Sequence, residues 1–238
     1  MTSAVRTRFA VSGVSLTTLL FCAHFFNDFF SGTLAALLPT LQVRFDASEV
    51  LLAGFVAMLS FSSSMLQPLF GAVADRFGRR VVAAFGVITT SAILSLMGVV
   101  PSPLLLLPLL LVGGLGSAAF HPAGSSLARS AVTRNRGLAM AVFSAGGTVG
   151  MAVGPLVIGW FLINDWLRFT PWLMVPGIVF GLLIYLLVPV QPRDPATQRS
   201  KLFDLELFKG PVGQLCAAGV LRSISWTAII NGAPLWLV

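Results

Sequence analysis

Apolar runs long enough to cross a bilayer alternate along this 238-residue chain with short segments that hold nearly all of its charge. A stretch of about 20 apolar residues spans the hydrocarbon as a helix, because a helix satisfies its own backbone polar groups where no water can. The runs cover approximately residues 14–38, 49–74, 81–100, 104–127, 138–163 and 171–190, with a further run at 211–238. Hydrophobic residues make up 56% of the chain and charged residues 10%, more apolar surface than a soluble fold can bury. The formal charge of +7 would suit nucleic acid if it were concentrated, but the basic residues sit in small clusters between the runs. The composition points to an all-α, multi-pass membrane protein and excludes a nucleic-acid binder.

Lys and Arg test that topology independently of the apolar pattern. Counted by alternate loops, one side collects Arg6, Arg8, Arg76, Arg79, Arg80, Arg129, Arg134, Arg136, Arg193, Arg199, Lys201 and Lys209, and the other only Arg44 and Arg168. The imbalance places the amino terminus in the cytoplasm. The first run is too long for the core of a signal peptide and contains His24, Asn27 and Asp28, so it reads as a retained helix. Ser48 and Glu49 supply a start for the second helix. Cys22 and Cys216 fall inside apolar runs without metal-ligand spacing, and both are expected to be buried free thiols.

Between the second and third runs stand ten residues, Gly71, Ala72, Val73, Ala74, Asp75, Arg76, Phe77, Gly78, Arg79 and Arg80. So many charges mark a place where the chain leaves the hydrocarbon and turns back, and the stretch is expected to be a hairpin loop. Gly71 permits close helix approach and Gly78 a backbone bend, while Asp75 can accept hydrogen bonds from nearby donors. Arg76, Arg79 and Arg80 face lipid headgroups or carboxylates; alternatively they only set the topology.

This pattern, G-x-x-x-D-R-x-G-R-R, resembles the signature loop between the second and third helices of the major facilitator superfamily. The resemblance implies a secondary transporter, with Asp75 and Arg76 latching its two halves on the cytoplasmic side. It also implies a six-helix transmembrane bundle of two inverted three-helix repeats over residues 1–190, and a transport path between two such bundles. Residues 191–210 then read as a cytoplasmic linker. Residues 211–238 read as the first helix of an incomplete second bundle, so the chain is expected to be a truncated transporter that lacks the missing second half. The alternative is a membrane fragment that does not transport, or that serves as a partner subunit. Within the superfamily the chain is similar to the fosmidomycin-resistance type of bacterial exporter, on three blocks. These are residues 23–32 with 36–39 in the first helix, 67–71 before the hairpin, and Phe120, His121, Pro122, Ala123, Gly124 and Ser125 in the fourth. That likeness implies a bacterial inner membrane, a small drug-like substrate, neutral or anionic, and protons as the coupling ion.

The ionisable residues inside the runs carry the chemistry. His24, Asn27 and Asp28 stand at i, i+3 and i+4 and share one face of the first helix. Asp28 is placed to take up and release a proton, or else the group is a polar contact that fixes packing. His121 either lines the same cavity or bonds a carbonyl freed by Pro122. Arg222, a cation within the last run, needs an anion near it: Asp28 or an acidic substrate. Gly146, Gly150 and Gly154 recur every four residues, followed by Pro155 and Gly159. They form a packing face that resembles, in part, the glycine-proline motif of antiporters, with Ala141 and Ile158 where that motif has glycine. No nucleophile, phosphate-binding loop, cofactor motif or metal-ligand cluster is legible, so an enzyme is not expected.

Overall fold

A computed structural model describes residues 13–191 and scattered positions between 209 and 221, and every described element is helical. Seven α-helices follow one another: α1 (Gly13–Phe45), α2 (Glu49–Ser64), α3 (Gln67–Phe77), α4 (Arg79–Leu94), α5 (Pro103–Ser130), α6 (Arg136–Ile163) and α7 (Met174–Leu187). Short 3-10 turns extend α4 to Gly98 and lead into α7 from Leu167. Five stretches are long and apolar enough to cross a membrane: Glu49–Phe77, Arg79–Gly98, Pro103–Ser130, Arg136–Ile163 and Leu167–Leu187. α1, with 33 residues, is long enough for the same crossing, and its lower apolarity comes from His24, Asn27 and Asp28 at its middle. Together they make the six-helix bundle. It belongs to the first of two units into which the chain divides, the second beginning at Arg199.

Local chemistry explains where the boundaries fall. Ser48 caps α2 as expected, its hydroxyl accepting from the Leu51 N–H at 3.3 Å. The second span is not one rod, because α2 stops at Ser64 and α3 restarts at Gln67. Pro68 has no N–H to give the Ser64 carbonyl, and the Gln67 side chain donates instead to the carbonyl of Ser63 at 3.0 Å. The charged stretch 71–80 is not a loop either. Gly71 to Phe77 are helical, and one residue, Gly78, joins α3 to α4 with φ 105°, a value that L side chains rarely adopt. Asn135 and Asp165, at the ends of α6, also have positive φ (60° and 55°), and Asn and Asp are the non-glycine types that tolerate it best. α5 and α6 continue through Pro122 and Pro155 without a break.

α1 packs along α6, and α4 packs against both α5 and α7. The α1–α6 seam is as close as backbones allow: a methyl on Gly146, Gly150 or Gly154 would overlap the carbonyl oxygens of Phe21, Phe25 and Phe29. Gly32 meets the Met151 carbonyl in the same way from the other side. Gly159 is no part of this seam, since a side chain there would meet open space. The helices bury two apolar clusters. One gathers Leu16 to Ala23 of α1 with Phe120, Leu127, Phe143 and Ile184; the other gathers Phe29 to Leu41 with Phe55, Leu106, Leu110 and Ile158. Between the two lies a polar layer at mid-helix: His24, Asn27, Asp28, Thr90, Ser91 and Ser117, all buried. Large apolar side chains such as Phe61, Leu104, Leu156 and Trp172 face outward, where lipid would cover them.

Candidate functional site

The polar layer is built around Asp28. α1 places His24 one turn before it, and α5, crossing α1, brings Ser117 and His121 to its other side. His24 Nε2 lies 3.1 Å from Asp28 Oδ2, and His121 Nε2 lies 3.3 Å from Asp28 Oδ1. Asn27 donates from Nδ2 to Asp28 Oδ1 at 2.9 Å and to the Ser117 hydroxyl at 3.0 Å. Asp28 is 8% exposed, His24 6% and Asn27 fully buried, so the group is screened from solvent on all sides but one. That side is a cavity of about 310 Å³ lined by Asp28, His121, Ser63, Gln67, Ser117 and Met151 among others.

The protonation of both imidazoles follows from their outer nitrogens. His24 Nδ1 stands 2.7 Å from the Phe143 carbonyl oxygen, and His121 Nδ1 stands 2.8 Å from that of Ser117. A carbonyl only accepts, so each Nδ1 carries a proton and donates it. In the neutral ring Nε2 then carries a bare lone pair, and both Nε2 atoms lie within 3.3 Å of the oxygens of one carboxylate. Either contact is attractive only when a proton lies in it. His24 Nε2 has no hydrogen-bond partner despite its short distance to Oδ2. The carboxylate thus has an imidazole nitrogen close to each of its oxygens, and a proton or another cation among the three groups makes these contacts attractive.

Several expected residues come together here and several do not. His24, Asn27, Asp28 and His121 form one cluster; His121 lines the cavity, and its ring bonds a carbonyl, though not the one expected. The bonded carbonyl is that of Ser117, whereas Pro122 frees that of Ala118. Three side chains capable of metal ligation, His24, Asp28 and His121, converge with donor atoms within 4.8 Å of one another, a grouping the linear spacing concealed. The sequence also missed Ser117, one turn before His121, and Gly147, where a methyl would press on Asp28 Oδ2 and His24 Nε2. The Gly146-Gly147 doublet was the available signal. Cys22 is half-buried rather than buried, and free. Arg222 and Cys216, with residues 192–208, lie outside the described residues.

At the α3–α4 joint, Asp75 accepts two hydrogen bonds from Arg79, from Nε at 3.0 Å and Nη2 at 2.9 Å, with both side chains about a third exposed. Arg80 reaches the end of α7, donating to the Val188 carbonyl at 3.3 Å with its guanidinium 5.0 Å from the centre of the Tyr185 ring. Arg76 is exposed in the last turn of α3. A methyl on Gly71 would meet Pro122 of α5 only at ordinary contact distance, so close helix approach does not require glycine there.

Comparison with known proteins places this architecture. The sequence matches the Major Facilitator Superfamily over residues 20–238. It is 31% identical over 157 residues to the fosmidomycin resistance protein of Escherichia coli (strain K12), covering 66% of this chain and 37% of that protein. Against the multidrug resistance protein MdtG of Klebsiella pneumoniae (strain 342), identity is 29% over 161 residues, covering 66% and 38%. The chain therefore spans well under half the length of these relatives. Among solved structures, the inward-open xylose transporter XylE from E. coli superposes with a TM-score of 0.58 at 18% identity, covering 90% of this chain and 56% of that one. The relatives are transporters, not enzymes, and the apolar helices make this a multi-pass membrane protein. From the family match, the helical bundle and the charged joint after α3 alike, the chain belongs to the Major Facilitator Superfamily.

Proposed function

We propose that this chain supplies the amino-terminal bundle of a proton-coupled exporter of small drug-like molecules, with Asp28 as the proton carrier and His24 and His121 as its partners. The observation that carries the reading is the pair of imidazole Nε2 atoms within 3.3 Å of one buried carboxylate. A lone carboxylate in a screened site costs several kcal/mol, and a proton placed in either contact removes that cost. The cavity beside the triad offers a small molecule serine hydroxyls, the Gln67 amide and the Met151 thioether. The resistance proteins among the relatives suggest an antibiotic-like substrate, and Arg222 would favour an anionic one. In this reading the protein sits in a bacterial inner membrane with its amino terminus in the cytoplasm. Residues 191–210 link the bundle to a second one that begins at residue 211.

Export measured in inverted vesicles across a range of imposed pH gradients tests the assignment, using a frame that continues past Val238. Asp28→Asn is expected to remove the dependence on the gradient while leaving the protein at normal abundance. Export by the variant with an unchanged gradient dependence would reduce Asp28 to a packing residue.

A further inference from the structure

We propose that His24, Asp28 and His121 form a binding site for a divalent first-row transition-metal ion, open on one side to the cavity between α1, α2 and α5. The site rests on the same triad as the proton reading, but its test is separate. The donor set is two imidazole nitrogens and a carboxylate, the combination that suits zinc and its neighbours in the row. The spacing also fits. At metal–ligand distances of about 2.0–2.2 Å, two ligands of a tetrahedral ion stand about 3.3 Å apart. The observed separations are 3.1 Å from His24 Nε2 to Asp28 Oδ2 and 3.3 Å from His121 Nε2 to Asp28 Oδ1, and one donor atom from each residue lies within 4.8 Å of the other two, so small side-chain shifts bring all three onto one ion.

The outer nitrogens fit as well. A metal-binding histidine commonly donates its other N–H to a carbonyl or carboxylate, which fixes the tautomer and the ring direction. Both rings do so here, to the carbonyls of Phe143 and Ser117. Asn27 holds the carboxylate by its own hydrogen bond to Oδ1. An independent observation points to a missing occupant: His24 Nε2 is buried, directed at the triad and without a hydrogen-bond partner. The cavity supplies a way in and room for a water or solute ligand in the fourth position, with Asp28 and His121 in its wall. A bound ion turns a lone buried negative charge into a net +1 cluster, and it takes up the lone pairs that the protons use.

The test is a cobalt(II) titration of the untagged 238-residue chain in lipid nanodiscs, followed by visible absorption and calorimetry, with zinc(II) as competitor. The expected result is one site per chain with intense tetrahedral or five-coordinate d–d bands, displaced by zinc. Each of His24→Gln, His121→Gln and Asp28→Asn should weaken binding by at least about tenfold. His121→Gln guards against misfolding at the α1–α6 seam, since His121 belongs to α5. No binding up to about 1 mM, or binding that all three variants leave unchanged, overturns the site. Imidazole ¹⁵N signals recorded in chelator keep the two readings apart. Signals that follow pH while cobalt fails to bind overturn the metal site and leave the proton carrier standing. Cobalt binding alongside gradient-driven export that ignores Asp28→Asn supports the metal site and sinks the carrier.

Discussion

At the scale of single residues, Gly147 gives the sharpest separation between site and scaffold. A methyl there meets side-chain atoms of Asp28 and His24, whereas a methyl on Gly150 meets the backbone of Phe25. Gly147→Ala is therefore expected to leave the amount of folded protein within about twofold of the parent while changing the gradient dependence of export. Gly150→Ala should lower the folded amount itself, because a backbone carbonyl cannot swing away as a side chain can. Gly159→Ala, facing open space, should do neither. Membrane abundance and vesicle export, measured together for the three variants, check the set. The sequence named most of the side chains of the site, His121 among them, but missed Ser117 and hid how the two groups meet. His24, Asn27 and Asp28 announce themselves by helical spacing within α1, but Ser117 and His121 lie about 90 residues beyond them. Their approach depends on how α5 crosses α1, which no periodicity within either helix records.

At the scale of elements, the α3–α4 joint shows what charge and glycine together accomplish. Helix propensity carries α3 up to Phe77, and the positive φ of Gly78 turns the chain in one step instead of a loop. A local pattern of charges reads as a water-exposed turn, correctly, yet it does not say how few residues the turn needs. The Asp75–Arg79 pair is half-exposed, and such pairs contribute about 0–1 kcal/mol. Asp75→Asn should therefore leave insertion and abundance almost unchanged while abolishing export, the signature of a latch rather than a fold determinant. Normal export by that variant would return Asp75 to topology alone. Gly78→Ala should behave differently, losing about 1–3 kcal/mol because φ 105° with ψ 124° is a conformation alanine rarely adopts. A lower midpoint of thermal unfolding in detergent would show it. The break between α2 and α3 was likewise written in Pro68, but the apolar run across it masked the signal.

At the scale of the whole molecule, the apolar runs made the bundle legible because bilayer thickness dictates helix length. A reporter fused in the turn around Arg134 should be cytoplasmic and one fused near Asp165 periplasmic, as the division of basic residues requires. The opposite pattern would overturn the helix assignment. The polar layer between the two apolar clusters also sets a timetable for synthesis. His24 waits for the Phe143 carbonyl, 119 residues later in the chain, and Asn27 waits for Ser117, 90 residues later. A ribosome adding about 5–20 residues per second takes about 5–20 s to cover that distance. For that interval the first helix to emerge is also the one whose polar face has no protein to meet. α1 must then linger at the insertion machinery until α5 and α6 arrive, and cross-links from α1 to that machinery in stalled chains should persist until residue 143 has left the ribosome.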